Sequence, residues 1–333
     1  MKEPTQDKLK KSGKLILELL VIVIIAGATA SLATQAAFPR LANVGLTEDS
    51  DYWQTNQREA ASVPNEPTKK PQETKASTTP EKPALSPAYS PPRVSAESYL
   101  IADVASGEIL AQKKATDTFP IASISKLMTA VVASETIDIT DKITASEEAV
   151  ATYGAAGGLR VGDTLTLENF YYPLLLESSN DAAVAIAEHA GFARFINLMN
   201  RKALVLNMSS TRFRDPSGLA DENTSSARDL LQLARYIHNK KPLIFDITTR
   251  QQELTEQPSS DALRNFTNNN PMVGRTDFLG GKNGYTDNAR HTLLSVFQTE
   301  VAGEKRDVVI IVLSAESHVE DTLLLLSWLG RAF

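Results

Sequence analysis

Phe119-Pro120-Ile121-Ala122-Ser123-Ile124-Ser125-Lys126-Leu127-Met128-Thr129-Ala130 places a proline stop directly before an amphipathic helical pattern. Ser123 falls on the first turn, and Lys126, three residues on, returns to the same helix face. A hydroxyl thereby gains a neighbouring amine. Serine is a weak nucleophile until a base takes its proton, and a lysine serves as that base when burial or a second cation lowers its pKa. The free N–H groups and positive dipole end of a helix start favour negative charge developing beside them. Taken alone, an N-cap serine followed by a solvated lysine has the same spelling, so the pair needs support from elsewhere in the chain.

Composition narrows the classes. A chain of 333 residues with 42% hydrophobic side chains can bury a sizeable core. A net charge of -6 without a basic stripe argues against a nucleic-acid partner. The absence of cysteine removes disulfides, thiol catalysis and thiolate metal sites together. His189, His238, His291 and His318 show no ligand spacing, so no metal is expected.

The organisation reads from the N-terminus. Residues 1–14 carry Lys2, Lys8, Lys10, Lys11 and Lys14, and residues 15–38 contain an uncharged apolar run from Leu19 to Phe38. Such a run can cross a bilayer of about 20 residues' span, and the lysines before it predict a cytoplasmic start with the remainder outside the membrane. A cleaved signal peptide is the alternative, with Ala28-Thr29-Ala30 as a small-residue cleavage site. Residues 39–93 are rich in Pro, Ser and Thr, so they read as a disordered, partly polyproline tether between membrane and domain.

Residues 94–333 read as one α/β (α+β) domain. Ser98–Asp103 and Glu108–Ala111 flank Ser106-Gly107 as a hairpin, and residues 291–299 and 306–314 form a second hairpin around Gly303. Helical patterns occupy 167–176, 181–190, 194–205 and 226–237, the last capped by Ser225 or Ser226, and an apolar helix over 322–329 closes the chain. Strands at both ends with helices between predict one antiparallel sheet built from distant segments, plus a helical subdomain.

Two further stretches bear on Ser123. In Leu174-Leu175-Leu176-Glu177-Ser178-Ser179-Asn180-Asp181, a polar Ser-x-Asn corner interrupts two apolar helices. In Gly280-Gly281-Lys282-Asn283-Gly284-Tyr285-Thr286, a lysine flanked by glycines stands just before a strand, where a ligand backbone can lie close. An ordinary helix cap and a hairpin turn are the plain readings of each by itself.

Together and in this order the three stretches resemble the active-site serine penicillin-recognising enzymes, whose set is Ser-x-x-Lys, Ser-x-Asn and Lys-Thr-Gly. Gly158-Leu159-Arg160-Val161-Gly162-Asp163, Asn207 to Phe213 leading into Pro216-Ser217-Gly218-Leu219, and Ser225-Ser226-Ala227-Arg228-Asp229-Leu230 resemble the low-molecular-weight D-alanyl-D-alanine carboxypeptidases in particular. The resemblance implies a β-lactamase/DD-peptidase-like antiparallel sheet with helices on both faces. It also implies that β-lactams are covalent inhibitors, that peptidoglycan stem peptides are substrates, and that no cofactor is needed.

Carried over by position, Ser123 would attack the carbonyl of a D-Ala-D-Ala peptide with Lys126 as base, and Ser178 would relay the proton to the leaving amine. Asn180 would hold Lys126 and the substrate amide. Lys282 would depress the pKa of Lys126 and orient Ser178. Asn283, Gly284, Tyr285 and Thr286 would bind substrate along the strand edge, with the Ser123 and Tyr285 N–H groups as the oxyanion hole. Two departures fall on carboxylate recognition. Asn283 replaces the motif threonine, and only His318 stands near the place of an arginine found in the family before the closing helix. A D,D-endopeptidase and a catalytically impaired wall-binding homologue are therefore alternatives. A β-lactamase is a weaker one, with Glu222 as its sole deacylating candidate.

Overall fold

The apolar runs at the two ends of the chain pair with each other. The computed structural model describes residues 90–154, 158–256 and 263–333. Strand β1 (Ser98–Asp103) lies antiparallel between β2 (Ile109–Lys113) and β11 (Glu304–Ala315), and β10 (Arg290–Val301) and β9 (Phe278–Thr286) extend the sheet to the order β2-β1-β11-β10-β9. Side chains alternate between its faces. Leu100, Leu294, Val296, Val309, Ile311 and Leu313 join the larger core, while Tyr99, Ile101, Leu293, Phe297, Val308, Ile310 and Val312 join the smaller. Both faces are covered, which is why Val308 to Leu313 reads as an unbroken apolar run.

The smaller core is closed by α8 (His318–Ala332) through Leu325, Trp328 and Leu329. The larger core is built from α1 (Ser125–Thr136), α3 (Leu167–Leu175), α4 (Asn180–His189), α5 (Phe192–Val205) and α6 (Ala227–Lys240). The short α2 (Glu147–Val150) packs on α4, and α7 (Pro242–Thr249) packs on β9. Among the described residues there are also three two-stranded ribbons: β3 (Thr118–Pro120) with β6 (Thr224–Ser226), β4 (Lys142–Thr144) with β5 (Thr164–Thr166), and β7 (Gln252–Glu256) with β8 (Leu263–Thr267).

The antiparallel sheet from distant segments, both end hairpins and the helices on both faces are as the sequence predicts. Ser226 is the cap of α6, its Oγ accepting from Asp229 N. Three details differ. Helix α1 is not amphipathic: every residue from Ser125 to Ala133 is buried, because α3, α4, α5, α6 and α7 all pack around it. Lys282 lies inside β9 rather than before a strand. Helix α7 and the β7–β8 ribbon have no counterpart among the sequence expectations, because such short elements lack a periodic pattern long enough to register. The segments 1–14, 15–38 and, for all but its last four residues, 39–93 lie outside the described residues. Among the described residues no helix is long and apolar enough to cross a membrane.

Candidate active site

Ser123 sits in a single 3-10 turn, Ala122–Ile124, between β3 and α1. Pro120 ends β3, and Ile121 N donates to Asn223 O, so the chain enters the turn from a fixed strand pair. Ala122 takes a left-handed φ of 46°, a conformation that side chains beyond glycine tolerate only when their surroundings hold them there. Gly218 is part of those surroundings. Its φ is 89°, and a Cβ on it would stand 1.9 Å from Ala122 O, so only glycine fits beneath the turn. From the other side Gly284 of β9 closes in, where a Cβ would stand 2.6 Å from Ser123 N.

Lys126 follows three residues later, and its amine is the hub of the site. Its Nζ donates to Ser123 Oγ at 2.9 Å, to Asn180 Oδ1 at 2.8 Å and to the Ser217 carbonyl at 2.8 Å. The residue has no exposed surface. Burial first, and then the charge of Lys282, hold its pKa well below the ordinary lysine range, with Asp215 pulling the other way. A lysine so placed gives up its proton more readily than a solvated one, and its neutral form can take a hydroxyl proton. Ser125, the other serine of the turn, is fully buried and its Oγ accepts from Asn223 Nδ2, so it is no rival nucleophile.

The Ser-x-Asn corner lies between α3 and α4. Ser178 has a left-handed φ of 63° and is buried, while Ser179 caps α4 by accepting from Ala182 N. Asn180, the first residue of α4, has both ends of its amide assigned: Oδ1 accepts from Lys126, and Nδ2 donates to the Tyr153 carbonyl at 2.9 Å. One N–H remains for a ligand. Among the described residues the Ser178 hydroxyl has no hydrogen bond to Ser123, Lys126 or Lys282.

Strand β9 is the sheet's edge and forms the facing wall. Lys282 is buried, and burial lowers its pKa to about 7. Its Nζ donates to Asn283 O at 2.9 Å and to Asn283 Oδ1 at 3.3 Å, instead of orienting Ser178. Asn283 is held at its other end by a long bond, 3.5 Å, from Nδ2 to Asn269 O. Tyr285 is 57% exposed. The Thr286 hydroxyl accepts from Ala289 N and so belongs to the β9–β10 turn. His318 does not offer a nitrogen to the cleft: its ring stacks on His291 at 4.9 Å, His291 meets Tyr285 at 4.7 Å, and both His318 nitrogens are buried with no partner among the described residues. Glu222 is exposed, and no hydrogen bond ties it to the serine, to either lysine or to Asn180.

The geometry thus joins Ser123, Lys126 and Asn180 directly and brings Lys282 close enough for its charge to act on Lys126. Sequence reasoning missed two carbonyls, those of Ser217 and Tyr153, and the carboxylate of Asp215. Main-chain oxygens carry no side-chain signature. The Pro216 to Leu219 stretch marks the place but not the role.

The profile of a family described as D-alanyl-D-alanine carboxypeptidase matches residues 86–317. A D-alanyl-D-alanine endopeptidase of Escherichia coli (strain K12) is 30% identical over 258 residues, 74% of this chain and 81% of the relative. The D-alanyl-D-alanine carboxypeptidase DacC of the same organism is 29% identical over 263 residues, 73% of this chain and 63% of the relative. Among solved structures, a D-alanyl-D-alanine carboxypeptidase from Mycobacterium tuberculosis H37Rv superposes with a TM-score of 0.68 at 27% identity, covering 75% of this chain and 96% of that one.

Proposed function

The chain belongs to the D-alanyl-D-alanine carboxypeptidase family, a family of serine D,D-peptidases acting on peptidoglycan stem peptides, and from that premise we propose how its own residues carry the reaction. Lys126 Nζ takes the proton of Ser123 Oγ as the oxygen attacks the carbonyl carbon of the penultimate D-alanine. The N–H groups of Ser123 and Tyr285 receive the oxyanion, a contact whose loss costs about 3 kcal/mol in other hydrolases. Ser178 passes a proton to the departing nitrogen as the C–N bond breaks, D-alanine leaves, and water later hydrolyses the ester on Ser123. Asn180 keeps Lys126 aimed and offers its free N–H to the substrate amide. Lys282, with Asn283, faces the terminal carboxylate.

The observation that supports this reading is the buried, three-way bonded amine of Lys126 within 2.9 Å of the Ser123 oxygen. Incubation of the full chain with a pentapeptide ending in D-Ala-D-Ala tests it. Release of D-alanine, lost in Ser123→Ala, is expected; a folded chain releasing none would point to the wall-binding alternative.

A second reading, cleavage of D,D-cross-links, rests on Asn283. Its amide oxygen faces Lys282 and its amide nitrogen leans on Asn269 O, so it presents no hydroxyl to a terminal carboxylate. Endopeptidases among the relatives are in keeping with this. Digestion of cross-linked muropeptide dimers separates the two activities. We also propose that residues 15–38 tether the domain to the outer face of the cell membrane, with signal cleavage as the alternative. Membrane fractionation with external protease tests this: a tether leaves residues 1–14 protected in the pellet.

A further inference from the structure

A loop over residues 215–220 runs against Ser123 and Lys126, and the mechanism above uses it through a single carbonyl. Asp215 stands at its head. One carboxylate oxygen accepts from Ser217 N at 2.7 Å, Ser217 Oγ at 2.6 Å, Gly218 N at 2.7 Å and Leu219 N at 3.3 Å, and the other accepts from Ala220 N at 2.7 Å. Asn223 holds the same loop, accepting from Arg214 N and Asp215 N and donating to Asp215 O and to Ser125 Oγ. Thr129 of α1 donates to the Pro216 carbonyl. The result is a rigid platform that presses Gly218 against the Ala122 carbonyl and turns the Ser217 carbonyl toward Lys126.

We propose that Asp215 is a positioning residue for the reaction at Ser123, setting the Ser217 carbonyl against Lys126 Nζ and supplying the negative charge that offsets Lys282 when Lys126 gains its proton. The three direct partners of the Lys126 amine are uncharged: Ser123 Oγ, Asn180 Oδ1 and Ser217 O. As the Ser123 proton crosses to Nζ and the Ser123 oxygen bonds to carbon, a second cation forms near Lys282, both lysines being buried. A buried cation of that kind is costly unless paired. The charged groups that act on Lys126 are Lys282 from β9, which opposes the cation, and Asp215 from the loop, which favours it. A base with too low a pKa is a poor proton acceptor. Asp215 therefore favours the protonated form of Lys126, while its five hydrogen bonds fix the Ser217 carbonyl that accepts from Nζ.

The inference rests on the serine and lysine roles proposed above. It is tested on the full chain by the second-order rate of acylation by benzylpenicillin against pH, beside the melting temperature. Asp215→Asn keeps an acceptor oxygen but loses the charge. Its acylation should slow by at least about tenfold at neutral pH, and the acid limb of the profile, which reports the free Lys126 amine, should move to lower pH. Should that variant not fold, Asp215→Glu carries the test: the limb should stay in place while the displaced loop slows the rate by about tenfold or more. An unmoved limb in a folded Asp215→Asn variant, or a wild-type rate in Asp215→Glu, overturns the proposal. A wild-type chain that is never acylated overturns it together with the nucleophile assignment; acylated wild type with an indifferent Asp215→Asn removes this inference alone.

Discussion

Lys126 Nζ lies 2.9 Å from Ser123 Oγ and is shut away from solvent. Replacing Lys126 with methionine keeps the bulk and removes the base. Acylation by penicillin should fall by about 10²- to 10⁴-fold, with the melting temperature lowered by a few degrees, because Asn180 Oδ1 and the Ser217 carbonyl lose their buried donor. A variant that is acylated at the wild-type rate would show that another group removes the proton.

Burial lowers the pKa of Lys282 to about 7. Its charge is therefore present below that pH and fades above it. KM for a peptide with a free terminal carboxylate should rise by about tenfold between pH 6 and 8.5, whereas KM for the same peptide ending in an amide should stay nearly level. Equal behaviour of the two peptides would remove Lys282 from carboxylate recognition.

Asn283→Thr restores a hydroxyl at the place where the amide is held between Lys282 and Asn269. The ratio of D-alanine release to dimer cleavage should rise by about fivefold to tenfold, the worth of one hydrogen bond of about 1 kcal/mol. An unchanged ratio on muropeptide substrates would mean that position 283 does not set the preference.

His318 carries the clearest stability signature. Burial, then the charges of His291 and Lys282, push its pKa from 6.5 down to about 4, against Asp321. The folded state then binds fewer protons than the unfolded chain between those values. Stability is full above pH 6.5 and is lost as pH falls toward 4. After allowance for the part of the ring open to water, the loss is on the order of 1–2 kcal/mol. His318→Phe keeps the stack on His291 and should flatten the fall in melting temperature between pH 6.5 and 4.5; an equally steep fall would assign it to other groups.

Much of this was legible in the sequence because chemistry and periodicity coincide there. The runs Ser98–Asp103 and Val308–Leu313 are continuous and bounded by turns, so one sheet drawn from both ends of the chain could be anticipated, though not that these two strands are neighbours in it. Ser123, Lys126 and Asn180 could be anticipated as a group because Ser-x-x-Lys and Ser-x-Asn, in that order, resemble the motifs of the penicillin-recognising enzymes. The burial of α1 on every side could not, since it depends on five helices that converge only in the fold. The orientation of Lys282 toward Asn283 rather than Ser178 depends on the edge-strand backbone. The stacked His291 and His318 rings join residues from β10 and α8 that no local pattern connects.

The account stands on Ser123 being the atom that becomes acylated. Mass spectrometry of the full chain after exposure to benzylpenicillin, with fragmentation of the peptide that carries both Ser123 and Ser125, locates the adduct directly. The adduct is predicted on Ser123, with Ser125 unmodified. An adduct on Ser125 or elsewhere, or D-alanine release that persists in Ser123→Ala, would contradict it.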